Sequence, residues 1–231
     1  MVGILPALAA WYIRRNLHEP EIFVKGKARN SLDSLRLLVA DSQATRSSIA
    51  MVIICGVQNF GYYGVIIWLP TYLSTKFGYG LTQSAIWTIV TILGMALGIY
   101  VFGHVADRFS RKPTFISWMV GAGVMVVIYS QITNATWLLI AGAVMGFFVN
   151  GMLGGYGALM SELYPTAARA TAQNVLFNAG RAIGGFGPVV VGAIAASYGF
   201  STAIALLAGL YVIDIIAMMV LIPERKVGEL V

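Results

Sequence analysis

The sequence is poor in charge, in cysteine and in histidine. Only 10% of its 231 residues are charged, and it contains one cysteine and two histidines. The lone cysteine, Cys55, excludes a disulfide framework, and no spacing of Cys, His, Asp or Glu is typical of a metal site. A Gly-rich phosphate loop of the Walker type and a recognisable set of nucleophile, base and acid are also missing. We therefore expect no cofactor and no metal, and we do not expect an enzyme.

Apolar residues take the place of charge. Hydrophobic side chains make up 58% of the sequence, which no ordinary soluble domain of this length shows. A helix that crosses a bilayer needs roughly 20 apolar residues, and such runs follow one another here with short breaks. The alternating strands of a membrane barrel are absent. The sequence therefore predicts an all-α membrane protein surrounded by the lipid bilayer.

Six apolar runs predict a bundle of six transmembrane helices. The predicted spans cover residues 49–69, 82–103, 113–131, 136–160, 171–196 and 200–222. They divide the chain into the end of a preceding helix plus a cytoplasmic linker at 1–47, the six-helix bundle at 48–223, and a cytoplasmic tail at 224–231. Within the linker, the segment SLDSLRLLV predicts a short amphipathic helix on the membrane surface.

The basic residues lie in alternate loops. Thirteen of the 15 lysines and arginines fall in the linker, in the loops at 104–112 and 161–170, or in the tail, and the intervening loops contain only Lys76. This distribution follows the positive-inside rule and predicts that both ends of the six-helix unit lie in the cytoplasm. The net charge of +6 thus reflects topology, and no nucleic-acid partner is expected.

The densest charge in the apolar part of the chain lies between the second and third spans. The segment reads GHVADRFSRK from Gly103 to Lys112, and it predicts a tight polar turn between two helices. It resembles the loop signature of the major facilitator superfamily of secondary transporters. The resemblance implies a gate whose ion pairs exchange between transport states, and the alternative is that the basic residues only set topology. The implied gate residues are Gly103, Asp107, Arg108, Arg111, Glu162 and Arg169.

Two further segments resemble the same superfamily. SELYPTAARAT, at 161–171, is similar to the loop between the tenth and eleventh helices of its sugar-porter-like and metabolite:proton symporter branches. RRNLHEPEIF, at 14–23, resembles the stretch after the sixth helix, although His-Glu-Pro-Glu at 18–21 departs from the usual Pro-Glu-Ser-Pro order. The resemblance implies the C-terminal half of a major facilitator fold. The N-terminal half-bundle would then be missing from this chain, and the substrate site would lie between the halves.

Polar side chains inside the spans are candidates for substrate binding, because each is costly in lipid and tends to face the bundle interior. Gln58 and Tyr62 are four residues apart in the first span, and so are Asn59 and Tyr63, so each pair shares a stripe of the helix. Their amides and hydroxyls could bind a carboxylate or hydroxyl of a substrate, or equally hold neighbouring helices together. Asn150 in the fourth span is a further candidate.

Arg181 is the most informative of these residues. Asn174, Asn178 and Arg181 fall on one face of the fifth span, and a position about ten residues into the span lies roughly 15 Å from its start. The planar guanidinium matches a carboxylate in a bidentate way. We therefore expect Arg181 to bind the carboxylate of an organic acid, or an acidic residue of the missing half. The alternative is that the helix extends beyond the lipid and Arg181 lies in the cytoplasmic vestibule.

Asp214 is a lone carboxylate about midway along the sixth span and is the candidate for proton coupling; the alternative is a paired or permanently protonated acid. The resemblance implies a multi-pass protein of the bacterial inner membrane that moves a small solute by alternating access. Proton symport of an organic acid is the leading interpretation, and the proton coupling follows from the resemblance alone. A sugar transporter of the same superfamily and a truncated, non-transporting membrane fragment are the alternatives.

Overall fold

The structure is a computed structural model of the chain and describes residues 11, 12, 15 and 31–224. Several predicted features lie outside the described residues. These are most of the helix end at 1–13, the His-Glu-Pro-Glu segment at 18–21, the first part of the linker, and the tail beyond residue 224.

Residues 31–224 form nine α-helices and one short 3-10 turn, which we label in chain order. They are α1 Ser31–Arg36, the 3-10 turn Leu37–Val39, α2 Ser42–Phe77, α3 Leu81–Phe109, α4 Arg111–Gln131, α5 Ala135–Gly151, α6 Leu153–Leu163, α7 Thr166–Gly184, α8 Gly187–Tyr198 and α9 Phe200–Leu221. Helices α5 and α6 form one span, and so do α7 and α8. Six stretches of the described chain are therefore long and apolar enough to cross a membrane, which confirms the predicted all-α, six-helix bundle.

The two polar loops between spans are shorter than the sequence predicted. Only Ser110 separates α3 from α4, and only Tyr164 and Pro165 separate α6 from α7. The charged residues of these segments continue the helices, because charge marks the point where a chain can leave the apolar layer and not the end of a helix. Ser110 has φ 140° and ψ 153°, a backbone conformation that glycine favours and that strains a serine.

Local interactions explain where several helices begin and end. Asp41 accepts a hydrogen bond from the amide of Ala44 (2.7 Å) at the start of α2, and Asn134 caps α5 in the same way, so that amides without an intrahelical partner are satisfied. Gly78 ends α2 with φ 69°, which glycine adopts without steric cost. Pro188 lies in the first turn of α8, where its missing donor breaks no helical hydrogen bond.

Glycines bring two pairs of helices into backbone contact. A side chain at Gly94 or Gly98 of α3 would collide with the backbone of Ala143 or Phe147 in α5, and one at Gly180 of α7 would collide with α2. The sequence places these glycines four residues from another glycine, the spacing that lets membrane helices approach closely. The two helix pairs are therefore packed with their backbones in contact.

The buried core lies along the bundle and contains large aromatic side chains. Phe102, Phe115, Tyr129 and Tyr211 are fully buried, whereas exposed isoleucines, leucines and valines cover the outward faces of α3, α4 and α9. An apolar exterior of this kind is what contact with lipid requires. Polar residues buried inside such a bundle need specific partners or have a function.

The basic loops meet at one end of the bundle. Lys112, at the start of α4, donates to the carbonyls of Met219 (3.0 Å) and Ile222 (2.7 Å) at the end of α9. Lys76 lies at the opposite end and donates to the carbonyl of Ile132 (2.9 Å), which follows α4. The charge asymmetry of the sequence thus separates the two ends of the molecule. The side of the membrane on which each end lies stays a prediction.

The predicted linker helix forms, and it packs against the bundle. Ser34 of α1 donates to the carbonyl of Ala167 in α7 (2.9 Å), and Leu38 is buried. Ser48 of α2 donates to the carbonyl of Leu38 (2.7 Å) and shares a hydrogen bond with the hydroxyl of Tyr164 (2.7 Å). Burial raises the pKa of Tyr164 above its ordinary value. The part of the linker that directly precedes α2 is therefore packed against the bundle.

Candidate functional site

Gln58 of α2 and Asn150 of α5 form an amide pair inside the bundle. Nε2 of Gln58 donates to Oδ1 of Asn150 across 2.6 Å, and Gln58 is 1% exposed. The amide oxygen of Gln58 is buried and has no hydrogen-bond partner among the described residues. The structure thus brings together two predicted substrate-binding residues from different spans, and this oxygen can still accept a hydrogen bond.

Asn59, the next residue of α2, faces a different helix. Its Nδ2 donates to the carbonyl of Cys55 one turn earlier (2.8 Å), and its Cβ lies against Gly184 of α7. Asn59 is buried. Its side chain takes part in the close contact of α2 with α7, and its role in substrate binding stays a prediction.

Arg181 lies on an exposed face of α7 and contacts α2. Its Nε donates to the hydroxyl of Tyr63 (3.0 Å), whose ring centroid is 5.2 Å from that of Tyr62. Its guanidinium carbon lies 5.6 Å from the centroid of the Phe177 ring. No carboxylate of the described residues pairs with it. The span that contains Arg181 runs over Thr166–Tyr198, so Arg181 lies near its middle. Tyr63 and Phe177 thus contact a cation that has no carboxylate partner among the described residues.

Asn174 and Asn178 lie on the same face of α7 as Arg181 and are exposed. Nδ2 of Asn178 donates to the carbonyl of Asn174 (2.7 Å), and Nδ2 of Asn174 donates to the carbonyl of Ala170 (2.8 Å). Both amide nitrogens therefore bond to α7 itself, and an exposed polar face runs along this span.

Arg111 joins two carboxylates at the end of the bundle where the basic loops meet. Its Nη1 lies 2.6 Å from Oδ1 of Asp107 in the last turn of α3, and its Nε donates to Oε1 of Glu162 at the end of α6 (3.0 Å). The side chains of Glu162 and Arg111 are 8% and 14% exposed, whereas that of Asp107 is 67% exposed. The structure thus brings three predicted gate residues into one ion-pair network. Its Arg111 and Glu162 side chains are largely buried, and its Asp107 side chain is exposed to solvent.

The remaining predicted gate residues lie at the same end of the bundle. Nε of Arg169 donates to the carbonyl of Tyr164 (3.1 Å), between α6 and α7. Arg108 is exposed and lies over the ring of Phe109 (5.7 Å). A side chain at Gly103 would meet no neighbouring atom within 4 Å, so packing does not explain a glycine there. A gating role for these residues stays a prediction.

Asp214 of α9 is fully buried in the bundle. Neither of its carboxylate oxygens, nor the hydroxyl of Tyr211 one turn earlier, has a hydrogen-bond partner among the described residues. No lysine or arginine of the described residues forms an ion pair with Asp214, so a negative charge on it would be costly. The site is suited to a carboxyl group that holds a proton.

Several residues of these clusters were not predicted from the sequence. Phe177 lies one turn before Arg181 and Tyr211 one turn before Asp214, so helical spacing is a signal that could have found both. Tyr164 reaches Ser48 from the connection between α6 and α7. Such contacts depend on how the helices are rotated against each other, for which the sequence carries no local signal.

The chain belongs to the major facilitator superfamily, because the sequence model of that superfamily matches residues 51–230. A protein of Haemophilus influenzae named for metabolite transport is 55% identical over 98% of this chain and 58% of its own length. A Cupriavidus pinatubonensis protein named for 4-methylmuconolactone transport is 31% identical, over 87% of this chain and 47% of its own. The cis,cis-muconate transport protein of Acinetobacter baylyi is 27% identical, over 84% and 49%. The chain spans about half the length of these curated relatives, whose names describe transport proteins and not enzymes.

A solved structure has the same fold. The crystal structure of tetrameric PepTSo2 matches with a TM-score of 0.64 at 16% identity, over 77% of this chain and 40% of that chain. The predicted kinship with the major facilitator superfamily is thus confirmed by the match of its sequence model, and the solved structure shows a similar fold.

Proposed function

We propose that this chain is the C-terminal half of a secondary transporter that moves a small carboxylate across the bacterial inner membrane by proton symport and alternating access. The small-molecule substrate, protons, the lipid bilayer and an N-terminal half-bundle are its partners in this proposal. Support comes from Arg181 in the middle of a span, from the buried carboxyl group of Asp214, and from the ion-pair network around Arg111.

The unpaired arginine is the observation that carries the proposal. Arg181 is a cation, and a charge within a span is costly unless it meets an anion or water. The hydroxyl of Tyr63 accepts the hydrogen bond of Nε. The two Nη groups then remain for the two oxygens of a carboxylate, the geometry in which a guanidinium binds best.

The exposed polar face of α7 supports a second half-bundle. Asn174, Asn178 and Arg181 would meet lipid if these six helices stood alone, which is unfavourable. Facing six further helices, the same side chains would line a site between the two halves near the midplane. The H. influenzae relative, of which this chain covers 58%, is long enough to include such a half.

Substitution of Arg181 tests the proposal in the whole transporter that contains this half. Arg181→Gln is expected to lower carboxylate uptake at least about 30-fold, since a lost charged contact costs about 2 kcal/mol or more. Arg181→Lys keeps the charge but loses the fork, and we expect an intermediate loss. Arg36→Gln, at a cation of the linker helix α1 whose side chain is 82% exposed, is the matched control for charge. Unchanged carboxylate uptake in Arg181→Gln, or uptake of sugars but not of acids by the unaltered protein, would overturn the carboxylate proposal.

Proton coupling is assigned to Asp214 in this proposal. Asp214→Asn is expected to abolish accumulation driven by a proton gradient but to leave exchange of labelled for unlabelled substrate, because exchange needs no net proton movement. Asp33→Asn, on the linker helix, is the control. Loss of both activities in Asp214→Asn, or retention of both, would contradict a coupling role.

The gate is assigned to Gly103, Asp107, Arg108, Arg111, Glu162 and Arg169. Asp107→Asn weakens the network that joins α3 and α4 to α6, so the balance of inward- and outward-facing states in a cysteine-accessibility assay should change. Equal populations in the variant and the unaltered protein would count against the gate. The proposed orientation is tested separately, because labelling of residues 104–112 from the outer side of the membrane would reverse it.

A further inference from the structure

An aromatic frame surrounds the guanidinium of Arg181. The guanidinium carbon lies 5.6 Å from the centroid of the Phe177 ring, one turn earlier in α7, and Nε donates to the hydroxyl of Tyr63 (3.0 Å). The rings of Tyr63 and Tyr62 are 5.2 Å apart and tilted by 56°. The Phe177 ring also lies 6.1 Å from the ring of Tyr156. Phe177 and both tyrosines of α2 are half-buried, so the bundle supports them while part of each stays accessible.

This frame restrains the plane in which Arg181 binds an anion. The cation–π contact with Phe177 and the hydrogen bond to Tyr63 both act on the same guanidinium. A carboxylate bound by both its oxygens lies in the plane of the guanidinium. The orientation of a bound carboxylate is therefore set by the protein before the substrate arrives, which lowers the ordering cost of binding.

The geometry of the carbon attached to the carboxylate then determines which side chains the rest of the substrate contacts. In a conjugated acid this carbon is trigonal, and the whole π system stays coplanar with the carboxylate. Such a substrate extends flat from Arg181 and can pack against the rings of Tyr62 and Tyr63, where aromatic contacts add to the burial of apolar surface. In a saturated acid the tetrahedral carbon turns the remaining atoms out of that plane and loses these contacts.

We infer that the site selects planar, conjugated carboxylates. Phe177 is the residue that positions Arg181, and Tyr62 and Tyr63 form the aromatic wall that determines specificity. This inference rests on the proposed function and narrows its substrate class. The A. baylyi relative is named for cis,cis-muconate, a dicarboxylate whose acid groups are conjugated through a diene, which agrees with a flat site.

Matched pairs of acids separate planarity from charge and size. Benzoate is compared with cyclohexanecarboxylate, and cis,cis-muconate with adipate, as competitors of labelled substrate uptake by the whole transporter in vesicles. The planar member of each pair is expected to compete about tenfold more strongly, the size expected for one or two aromatic contacts. Equal competition within both pairs, while Arg181→Gln still abolishes uptake of every acid, would overturn the inference and leave the proposed function standing. No uptake of any acid by the unaltered protein would overturn the proposed function itself.

Substitution of Phe177 tests its positioning role. Phe177→Leu is expected to reduce the planar-to-saturated ratio severalfold, and Phe177→Tyr, which keeps a ring, to preserve it. Phe186→Leu is the matched control, because Phe186 is exposed on the same span and makes no ring contact among the described residues. An equal loss for both members of a pair in Phe177→Leu would show that Phe177 only supports the fold. If Phe177→Leu fails to fold, the competition ratio of the unaltered protein still decides whether the site selects planar acids.

Discussion

Arg111 allows a direct comparison of a buried and an exposed ion pair that share one guanidinium. We consider Glu162→Gln, which removes the buried negative charge and keeps the shape of the side chain. Its matched control is Asp107→Asn, which removes the exposed charge in the same conservative way. Both carboxylates contact Arg111 directly, at 3.0 Å and 2.6 Å, so distance alone predicts that the exposed pair is the stronger one.

Solvent exposure predicts the opposite order. Glu162 is 8% exposed, and loss of one partner of a buried pair costs about 3–5 kcal/mol, because the remaining charge stays buried without compensation. Asp107 still neutralises part of the charge on Arg111, so we expect the lower end of this range, about 3 kcal/mol. Asp107 is 67% exposed, where water screens the interaction and measured pairs contribute about 0–1 kcal/mol.

The free energy of unfolding of the purified protein in mixed micelles, measured by denaturant titration, distinguishes the two orders. Glu162→Gln should destabilise the bundle by about 3 kcal/mol, and Asp107→Asn by less than about 1 kcal/mol. Equal effects of the two substitutions, or a larger effect of Asp107→Asn, would refute the argument that burial governs the strength of this network.

Four further substitutions test the packing and the connections of the bundle, the first three by the same unfolding measurement and the fourth by limited proteolysis. Gly98→Ala should lower the free energy of unfolding by about 1–3 kcal/mol, because the new methyl group collides with the backbone of α5. Gly103→Ala, with open space around it, should be neutral or stabilise by up to about 1 kcal/mol. Similar costs at both sites would contradict the close packing. Ser110→Gly should stabilise by about 1 kcal/mol by relieving a strained backbone, and a loss of stability would argue against strain. Ser48→Ala removes the hydrogen bond to the linker and leaves Tyr164 with one partner fewer, so limited proteolysis of the linker should become faster, with an unchanged rate as the contrary result.

The number and order of the spans could be predicted from the sequence because hydropathy is a local property of about 20 residues. The ends of the helices were predicted less well. The segment 104–109 contains charged residues, yet the helix continues to Phe109, because neither Asp107 nor Arg108 breaks a helix. Charge therefore predicts the limit of the membrane and not the limit of the helix.

The contents of the candidate sites could be predicted only in part. Arg181 and Asp214 are recognisable because a charge in an apolar run is rare. Their partners are harder to predict, because the periodicity of one span does not show which of its faces meets which neighbouring helix. Gln58 and Asn59 illustrate this, because adjacent positions turn towards α5 and α7 respectively.

The single residue between α3 and α4 also restricts how the bundle can move. Helices α3 and α4 are joined by Ser110 alone, so the connection at this end cannot extend. A displacement of one helix is therefore transmitted directly to the other. Lys112 connects α4 to the end of α9 through hydrogen bonds to two carbonyls, so α9 would be displaced together with α4. A short flexible insertion after Phe109 would break this connection without changing any side chain of the proposed substrate site, and it would show whether the proposed transport depends on a rigid joint between α3 and α4.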